Sequence, residues 1–188
     1  MKFKHILIFL LVMVLYFVTN RLNVGREVYD FGIFLDNLIP LVTWFVYFYL
    51  AYFILMLIPF FISNNTKSLT WRYCVSIIVS SLFFVIIPTS IYRPLLENVN
   101  LNNYLVNMIH YLDKPYNLFP SLHAALLTLS FMFLYKHDKK LSYKLSPLFI
   151  LSFISTVFIK QHYALDLIGG VLVALISIKI ADKFEKVV

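Results

Sequence analysis

Long stretches without a single charged side chain limit what this chain can fold into. There are six of them, at residues 5–20, 37–66, 73–92, 115–135, 145–159 and 167–178. A helix that crosses the hydrocarbon layer of a membrane needs about 20 residues, with a range of roughly 17–25. Three stretches reach that length unaided, and the others reach it when flanking lysine and arginine side chains extend to the interface. The sequence therefore predicts six membrane-spanning helices.

The overall composition agrees with a membrane protein. Hydrophobic residues make up 61% of the 188 positions and charged residues only 13%, whereas soluble domains are roughly 45–50% apolar. Internal repeats, low-complexity tracts and soluble appendages are not found, so we expect one all-α, polytopic domain over residues 1–188. The first 20 residues resemble a signal peptide but lack a small-residue cleavage pattern, and we expect them to remain as an anchor.

Basic residues are distributed unevenly between alternate loops. With a cytoplasmic N-terminus, the outside carries Arg21, Arg26, Arg93, Lys114 and Lys160, and the inside carries Lys2, Lys4, Lys67, Arg72, Lys136, Lys139, Lys140, Lys144, Lys179, Lys183 and Lys186. Basic residues prefer cytoplasmic loops, so the sequence predicts a multi-pass cell-membrane protein with both termini cytoplasmic. We interpret these lysines as facing anionic head groups, and not nucleic acid, because no platform of aromatic and basic residues accompanies them.

A serine and a histidine begin the predicted fourth span. In Pro120-Ser121-Leu122-His123, the serine is predicted to cap a helix that continues to Tyr135. The free N–H groups of a helix N-terminus favour an anion such as phosphate. His123 is then placed to donate a proton to a leaving oxygen, and packing in the bundle is the alternative role for this histidine.

A second histidine lies four residues before an aspartate. On a helix, His162 and Asp166 would share one face and touch. The carboxylate would fix the tautomer of the ring and leave its other nitrogen as base or nucleophile. An interfacial ion pair and a metal-ligand pair are the alternatives. We expect no metal or other cofactor, because Asp113 stands alone, no HExxH motif is present and Cys74 is the single cysteine.

Two more segments belong to the predicted outer face. Arg93-Pro94 follows the third span, where a guanidinium can hold phosphate oxygens with two hydrogen bonds. Residues 100–113 have apolar side chains at near-helical spacing, which predicts a short interfacial helix before the fourth span. Gly169 and Gly170 are predicted to let the last helix approach a neighbour closely. The remaining histidines are interpreted as non-catalytic, namely His5, His110 and His137.

These motifs together resemble the three-part signature of the phosphatidic acid phosphatase type 2 superfamily. Its first part ends in Arg-Pro, its second reads Pro-Ser-Gly-His, and its third is Ser-Arg followed by His and, four residues later, Asp. Residues 93–170 carry the resemblance, with Ser155 opening the third part. The wording Lys160-Gln161-His162-Tyr163, with residues 117–123 and 36–44, is similar to the branch of inositol phosphorylceramide synthase-like proteins.

Three positions depart from the signature. Ile86 stands in place of a lysine, Leu122 in place of a glycine and Thr156 in place of an arginine. Leu122 still offers a backbone N–H, but two phosphate-binding cations are missing. Lys160 and Lys114 are the predicted replacements.

The resemblance implies a role for each motif residue. His162 is implied as the nucleophile that forms a phosphohistidine, His123 as the acid that protonates the leaving group, and Asp166 as the group that orients His162. Arg93 and Ser121 are implied to hold phosphate oxygens. The expected function is a lipid phosphatase or diphosphatase at the outer face. A lipid phosphotransferase that passes a phospho-head group to an alcohol is the second reading, and a non-catalytic membrane binder or transporter is the third.

Overall fold

The computed structural model describes residues 2–63 and 65–185, and this part of the chain is built from α-helices. The α-helices are α1 (Lys2–Leu22), α2 (Phe34–Leu38), α3 (Val46–Ile62), α4 (Thr66–Ile86), α5 (Leu101–Leu112), α6 (Leu122–His137), α7 (Lys139–Phe158) and α8 (Ala164–Glu185). A 3-10 turn at Thr43–Phe45 leads into α3. The described residues form no β-strand, and only two isolated bridges pair loop residues. The predicted all-α class is confirmed.

Five of these helices are long and apolar enough to cross a membrane. They cover Phe3–Leu22, Thr43–Ile62, Thr66–Ile86, Lys139–Phe158 and Ala164–Lys183. The predicted fourth span corresponds to α6, which has only 16 residues. At 1.5 Å per residue such a helix is about 24 Å long, less than the roughly 30 Å of hydrocarbon. Five candidate spans are therefore found in the described part of the chain, and the count of six is not confirmed.

Some helices begin later than the uncharged stretches that predicted them, and the residues left outside these helices form loops around the site. The second span was predicted from residue 37, but residues 39–42 are not helical and α3 begins at Val46. The fourth was predicted from residue 115, but the chain stays irregular up to Ser121. In contrast, α4 begins at Thr66 and includes Arg72, because that guanidinium pairs with Asp182 of α8 at 2.8 Å.

The predicted short helix before the fourth span is present as α5. Its N-cap is Asn100, whose side chain accepts from the Asn103 N–H at 2.9 Å. Val106 and Ile109 are buried against the bundle, whereas Leu101 and Tyr111 are exposed. This amphipathic arrangement suits a helix lying along a membrane surface, although its place at the interface stays a prediction.

Helix α6 is the centre of the bundle and packs against α3, α4, α7 and α8. Its side chains from Leu122 to Leu127 are all buried. Helix α8 comes closest to it at Gly170, where an added Cβ would overlap the Ser121 carbonyl oxygen. The predicted packing role of this glycine is confirmed, and the close approach places the start of α8 beside the start of α6.

The two ends of the bundle have different side chains. At one end, His5 contacts Thr66 at 2.7 Å and Arg72 pairs with Asp182. Most of the lysines predicted to be cytoplasmic belong to helix ends and turns on this side, apart from Lys186, which lies outside the described residues. At the other end, the starts of α6 and α8 meet the loop that follows α4.

Candidate active site

The start of α6 holds His123. Ser121 is the N-cap, as predicted, and its hydroxyl oxygen accepts from the Ala124 N–H at 3.2 Å. The Ser121 N–H donates to the Asp166 carbonyl oxygen at 2.9 Å, which ties the start of α6 to the start of α8. His123 is the second residue of the helix and is 8% exposed. Its imidazole is therefore fixed where the helix presents free N–H groups.

The turn between α7 and α8 holds His162. After α7 the chain reverses through Lys160, whose φ is 57°. The N–H groups of Gln161 and His162 both donate to the Thr156 carbonyl oxygen, at 2.8 and 3.1 Å. Helix α8 begins at Ala164, so His162 lies before it. The prediction that His162 and Asp166 share one helix face is therefore wrong, because His162 belongs to the tight turn between the end of α7 at Phe158 and the start of α8.

The predicted contact between His162 and Asp166 is nevertheless made. His162 Nδ1 lies 3.4 Å from Asp166 Oδ2, and the two residues are 3% and 0% exposed. The same carboxylate oxygen accepts from the Tyr163 N–H at 2.8 Å, which holds Asp166 at the start of α8. Its other oxygen is buried and makes no hydrogen bond. One carboxylate oxygen of Asp166 thus both caps the turn and lies beside the ring of His162.

The imidazoles of His123 and His162 contact each other directly. His123 Nδ1 lies 3.1 Å from His162 Nε2, and the ring centroids are 5.3 Å apart. On the far side of His123, the Tyr49 hydroxyl is 2.9 Å from Nε2. Tyr49 belongs to α3 and was missed in the sequence, where it is one of 13 tyrosines in an apolar background.

These contacts are consistent with one direction of hydrogen bonding. His162 Nδ1 makes no hydrogen bond at its distance of 3.4 Å from Asp166 Oδ2. A hydrogen on this nitrogen suits a neighbouring carboxylate, which only accepts, and it leaves the lone pair on Nε2. That lone pair accepts from His123 Nδ1–H, and His123 Nε2 then accepts from the Tyr49 hydroxyl. In this arrangement His162 Nε2 has the lone pair of a nucleophile, and His123 can act as an acid once its Nε2 is protonated as well, because the N–H of a neutral imidazole is a very weak acid.

Arg93 reaches this turn from the loop after α4. One terminal nitrogen donates to the Asp113 carbonyl oxygen, and the other donates to the Gln161 amide oxygen. Its Nε is buried without a partner. Within the described residues no carboxylate forms a salt bridge with Arg93. Burial lowers its pKa, while the nearby Asp113 carboxylate raises it.

Asp113 is less isolated than the sequence indicated. Both of its carboxylate oxygens accept from the Tyr16 hydroxyl, at 2.8 and 2.9 Å. Burial raises the pKa of Asp113, and the charge of Arg93 acts in the opposite direction. Asp113 and His123 both line one cavity of about 500 Å³ between α1, α3, α5 and α6. Most of its remaining wall is apolar, including Met13, Phe17, Leu50, Phe53 and Met56.

The two lysines predicted to replace the missing motif cations have other partners. The Lys160 ammonium donates to the Asp36 and Ile39 carbonyl oxygens, at 3.2 and 2.6 Å. The Lys114 ammonium lies 4.8 Å from the centre of the Tyr111 ring. The structure therefore brings Arg93, Ser121, His123, His162 and Asp166 together and directs both lysine side chains elsewhere.

Ile86 and Thr156, which stand in place of the two motif cations, bring no positive charge to the histidines. Ile86 is 72% exposed on the bundle surface. Thr156 is buried, and its hydroxyl donates to the Phe153 carbonyl oxygen at 2.9 Å. The side chain of Gln161 accepts a hydrogen bond from Arg93. Gln161 was missed in the sequence as well, because a single glutamine forms no recognisable motif. A group of three or more metal-ligating side chains is not found in the described part of the chain.

Comparison with known proteins gives one match. The family model described as the PAP2 superfamily matches residues 33–180, which include every residue named above as a predicted site residue. No curated protein and no solved structure matches this chain.

Proposed function

The chain belongs to the PAP2 superfamily, and from this membership we propose that it is a membrane enzyme that hydrolyses a lipid phosphate ester. Membership suggests a phosphatase-type lipid enzyme, and the apolar helices suggest a multi-pass membrane protein. The observation that carries the proposal is the row of close contacts from Tyr49 through His123 to His162, with Asp166 Oδ2 3.4 Å from His162 Nδ1. Three separate segments contribute these four side chains, and all four are buried.

The charge balance of the site supports a phosphate ligand. Arg93 keeps a buried Nε without a partner and has no salt bridge within the described residues. A guanidinium in such surroundings is stabilised when an anion accepts from its free N–H. The free N–H groups at the start of α6 add a second donor set beside His123. Ser121 donates through its hydroxyl hydrogen in the proposal, since its oxygen already accepts from Ala124.

The cavity beside His123 supports a lipid as the bearer of that phosphate. Its volume of about 500 Å³ lies within the roughly 300–1,000 Å³ of ligand sites. Its walls come from helices α1 and α3, both of which are candidate spans, so it lies within the apolar part of the protein. A hydrocarbon chain in the cavity would place its phosphate end near His123.

The reaction follows in two displacements. His162 Nε2 attacks phosphorus, and the bond from phosphorus to the lipid oxygen breaks while His123, which enters this step as the imidazolium, gives its Nδ1 proton to that oxygen and becomes neutral. Asp166 stabilises the positive charge that develops on the ring of His162. Water then gives a proton to His123 and attacks phosphorus, the phosphorus–nitrogen bond breaks, and inorganic phosphate leaves. Each step conserves charge and protons, and the phosphohistidine exists between them.

Phosphotransfer is the second candidate function, and the small number of cations favours it. A phosphodiester carries one negative charge, whereas a phosphomonoester carries roughly 1.5 to 2 at neutral pH. Among the described residues, Arg93 is the arginine or lysine whose side chain hydrogen-bonds to Gln161 beside His162. Lys160 of the same turn donates to the Asp36 and Ile39 carbonyl oxygens instead, and Ile86 and Thr156 carry no charge. In transfer, an alcohol takes the place of water in the second displacement, as in the inositol phosphorylceramide synthase-like branch.

The proposed orientation places the site at the outer face with both termini cytoplasmic. The basic residues support it, since eleven of sixteen fall on the side predicted to be inside. A cysteine introduced at Asn98 should react with an impermeant thiol reagent added to intact cells. A cysteine at Lys140 should react only after permeabilisation, and the reverse pattern would invert the topology.

Turnover of the purified protein tests the proposal. In detergent and without an added alcohol, a panel of lipid monophosphates and diphosphates should yield inorganic phosphate. Strict dependence on an alcohol, without phosphate release, would favour transfer instead. Tight lipid-phosphate binding without either reaction would indicate a non-catalytic binder or transporter.

A further inference from the structure

We infer that Gln161 is a phosphate-binding residue, which donates from its amide Nε2 to a phosphate oxygen beside Arg93. The inference rests on the proposed function for its location and extends it to a residue outside the three motifs. Gln161 directly precedes His162 and is 1% exposed. Any ligand that His162 attacks is therefore next to a polar side chain that the protein has enclosed.

The amide of Gln161 is only half satisfied. Its oxygen accepts from Arg93, and its Nε2 is buried without a hydrogen-bond partner. A buried donor without an acceptor costs free energy, and native proteins contain few of them. The Nε of Arg93 is unpaired in the same way. Two enclosed, unpaired donors therefore belong to two side chains that already contact each other.

The contact with Arg93 also decides which way the amide points. A guanidinium has only donors, so the neighbouring atom of Gln161 must be its oxygen. Nε2 is then held on the opposite side of the amide and is oriented before a ligand arrives. The Gln161 N–H, which donates to the Thr156 carbonyl oxygen at 2.8 Å, fixes the backbone of the same residue.

The need for such a donor comes from the missing cations. Ile86 is turned outward and the Thr156 hydroxyl is engaged by Phe153. Lys160 and Lys114 are held by carbonyl oxygens and by an aromatic ring. Among the described residues, Gln161 is the side chain that brings a further N–H to Arg93. A phosphate oxygen that accepts from Arg93 Nε and Gln161 Nε2 would satisfy both orphan donors together.

The substitution Gln161→Glu isolates the proposed donor. It keeps an oxygen for Arg93 and replaces the N–H donor with a second oxygen of nearly the same size. Asn102→Asp is the matched control, because the Asn102 oxygen accepts from the Tyr47 hydroxyl at 2.8 Å away from the site. Gln161→Met, which has similar length and no N–H, is the second variant in case the glutamate prevents folding.

The measurement uses the full chain in detergent, with inorganic phosphate and orthovanadate as probes. We expect the inhibition constants of both anions to rise about tenfold or more in Gln161→Met, because methionine lacks both the proposed donor and the oxygen that accepts from Arg93. The rise should be larger in Gln161→Glu, and Asn102→Asp should stay within about twofold of the parent protein. Inhibition constants unchanged in Gln161→Met would overturn the inference.

Thermal stabilisation by the same anions separates this inference from the proposed function. If the parent protein turns over no lipid phosphate but its unfolding temperature rises with phosphate, and this rise is lost in Gln161→Met, the enzyme proposal fails and the role of Gln161 stands. If neither anion stabilises or inhibits the parent protein, the role of Gln161 is overturned.

Discussion

His123 Nδ1 and His162 Nε2 lie 3.1 Å apart, in direct contact across 39 positions of sequence. A nucleophile about 3–3.5 Å from phosphorus and an acid within about 2.6–3.2 Å of the leaving oxygen need a wider gap than this. The two nitrogens point toward each other, so they face the same ligand, but the ligand has to part the rings as it enters.

Substitution of the nucleophile and its orienting carboxylate should reduce turnover to different extents. His162→Asn removes the attacking nitrogen, and we expect kcat to fall by about a thousandfold or more. Asp166→Asn removes the carboxylate charge that stabilises the positive ring of His162 during attack, so we expect a fall of about 10²–10⁴-fold. His137→Asn, at the other end of α6, is the control. The measurement is phosphate release by variants that are shown to be folded. Full activity in either His162→Asn or Asp166→Asn would contradict the roles assigned to these residues.

A covalent intermediate should be detectable on His162. Under single-turnover conditions with a ³²P-labelled lipid phosphate, we expect a label that is stable in alkali and labile in acid, because the phosphorus–nitrogen bond hydrolyses after protonation. The label should be absent from His162→Asn and present in His137→Asn. An active parent protein that never carries label would show that water attacks phosphorus directly.

Removal of the Tyr49 hydroxyl should lower the rate without loosening the fold. Tyr49 lies 2.9 Å from His123 Nε2 and sets which ring nitrogen carries the hydrogen. In Tyr49→Phe we expect kcat to fall about five- to tenfold, the effect of one buried hydrogen bond, with little change in KM. Tyr47→Phe loses an exposed bond to Asn102 and should behave like the parent protein. Equal rates for the two variants would remove Tyr49 from the site.

Acidification should destabilise the protein through His110. His110 Nε2 lies 2.8 Å from the Ile159 carbonyl oxygen just after α7, and since a carbonyl oxygen only accepts, Nε2–H donates to it. Burial, and then the charge of Arg93, lowers the pKa of His110 from 6.5 to about 4. The unfolded chain thus binds more protons than the folded chain between these values, so stability falls as pH decreases through that window.

A variant without the titrating ring tests this assignment. His110→Gln can still donate to Ile159 but takes up no proton. Its unfolding temperature in detergent should fall less than that of the parent protein between pH 7 and pH 4.5. If the unfolding temperatures of the two proteins fall equally with pH, protonation of His110 is not the cause of the destabilisation.

The chemistry of the site was largely readable from residue types and spacing. His123 and Ser121 belong to one short run, and the cap that places them is a local interaction between neighbouring residues. The spacing from His162 to Asp166 predicted their contact correctly, but it assumed a helical backbone where the chain forms a turn. A turn and a helix both bring residues four apart together. The family was recognised for the same reason, since its signature is made of short local motifs.

Other residues became visible only when distant segments met. Tyr49 is 74 positions from His123, and Gln161 is 68 positions from Arg93. The packing of α3 and of the loop after α4 creates these contacts, and neither is encoded in a local pattern. Lys160 shows the opposite case, since its position suggested a phosphate contact and its ammonium binds two backbone carbonyl groups instead.

The helical class and the apolar lengths that suit a membrane can be read from the residues alone, because hydrophobic length and local capping are properties of consecutive residues. The same residues place two histidines, an aspartate and an arginine in family motifs. Packing between distant segments brings the two histidines into contact and adds Tyr49 and Gln161 to them, and α6 extends over only 16 residues. Such features depend on side chains that meet across the bundle, where burial forces polar groups to find partners far away in the chain.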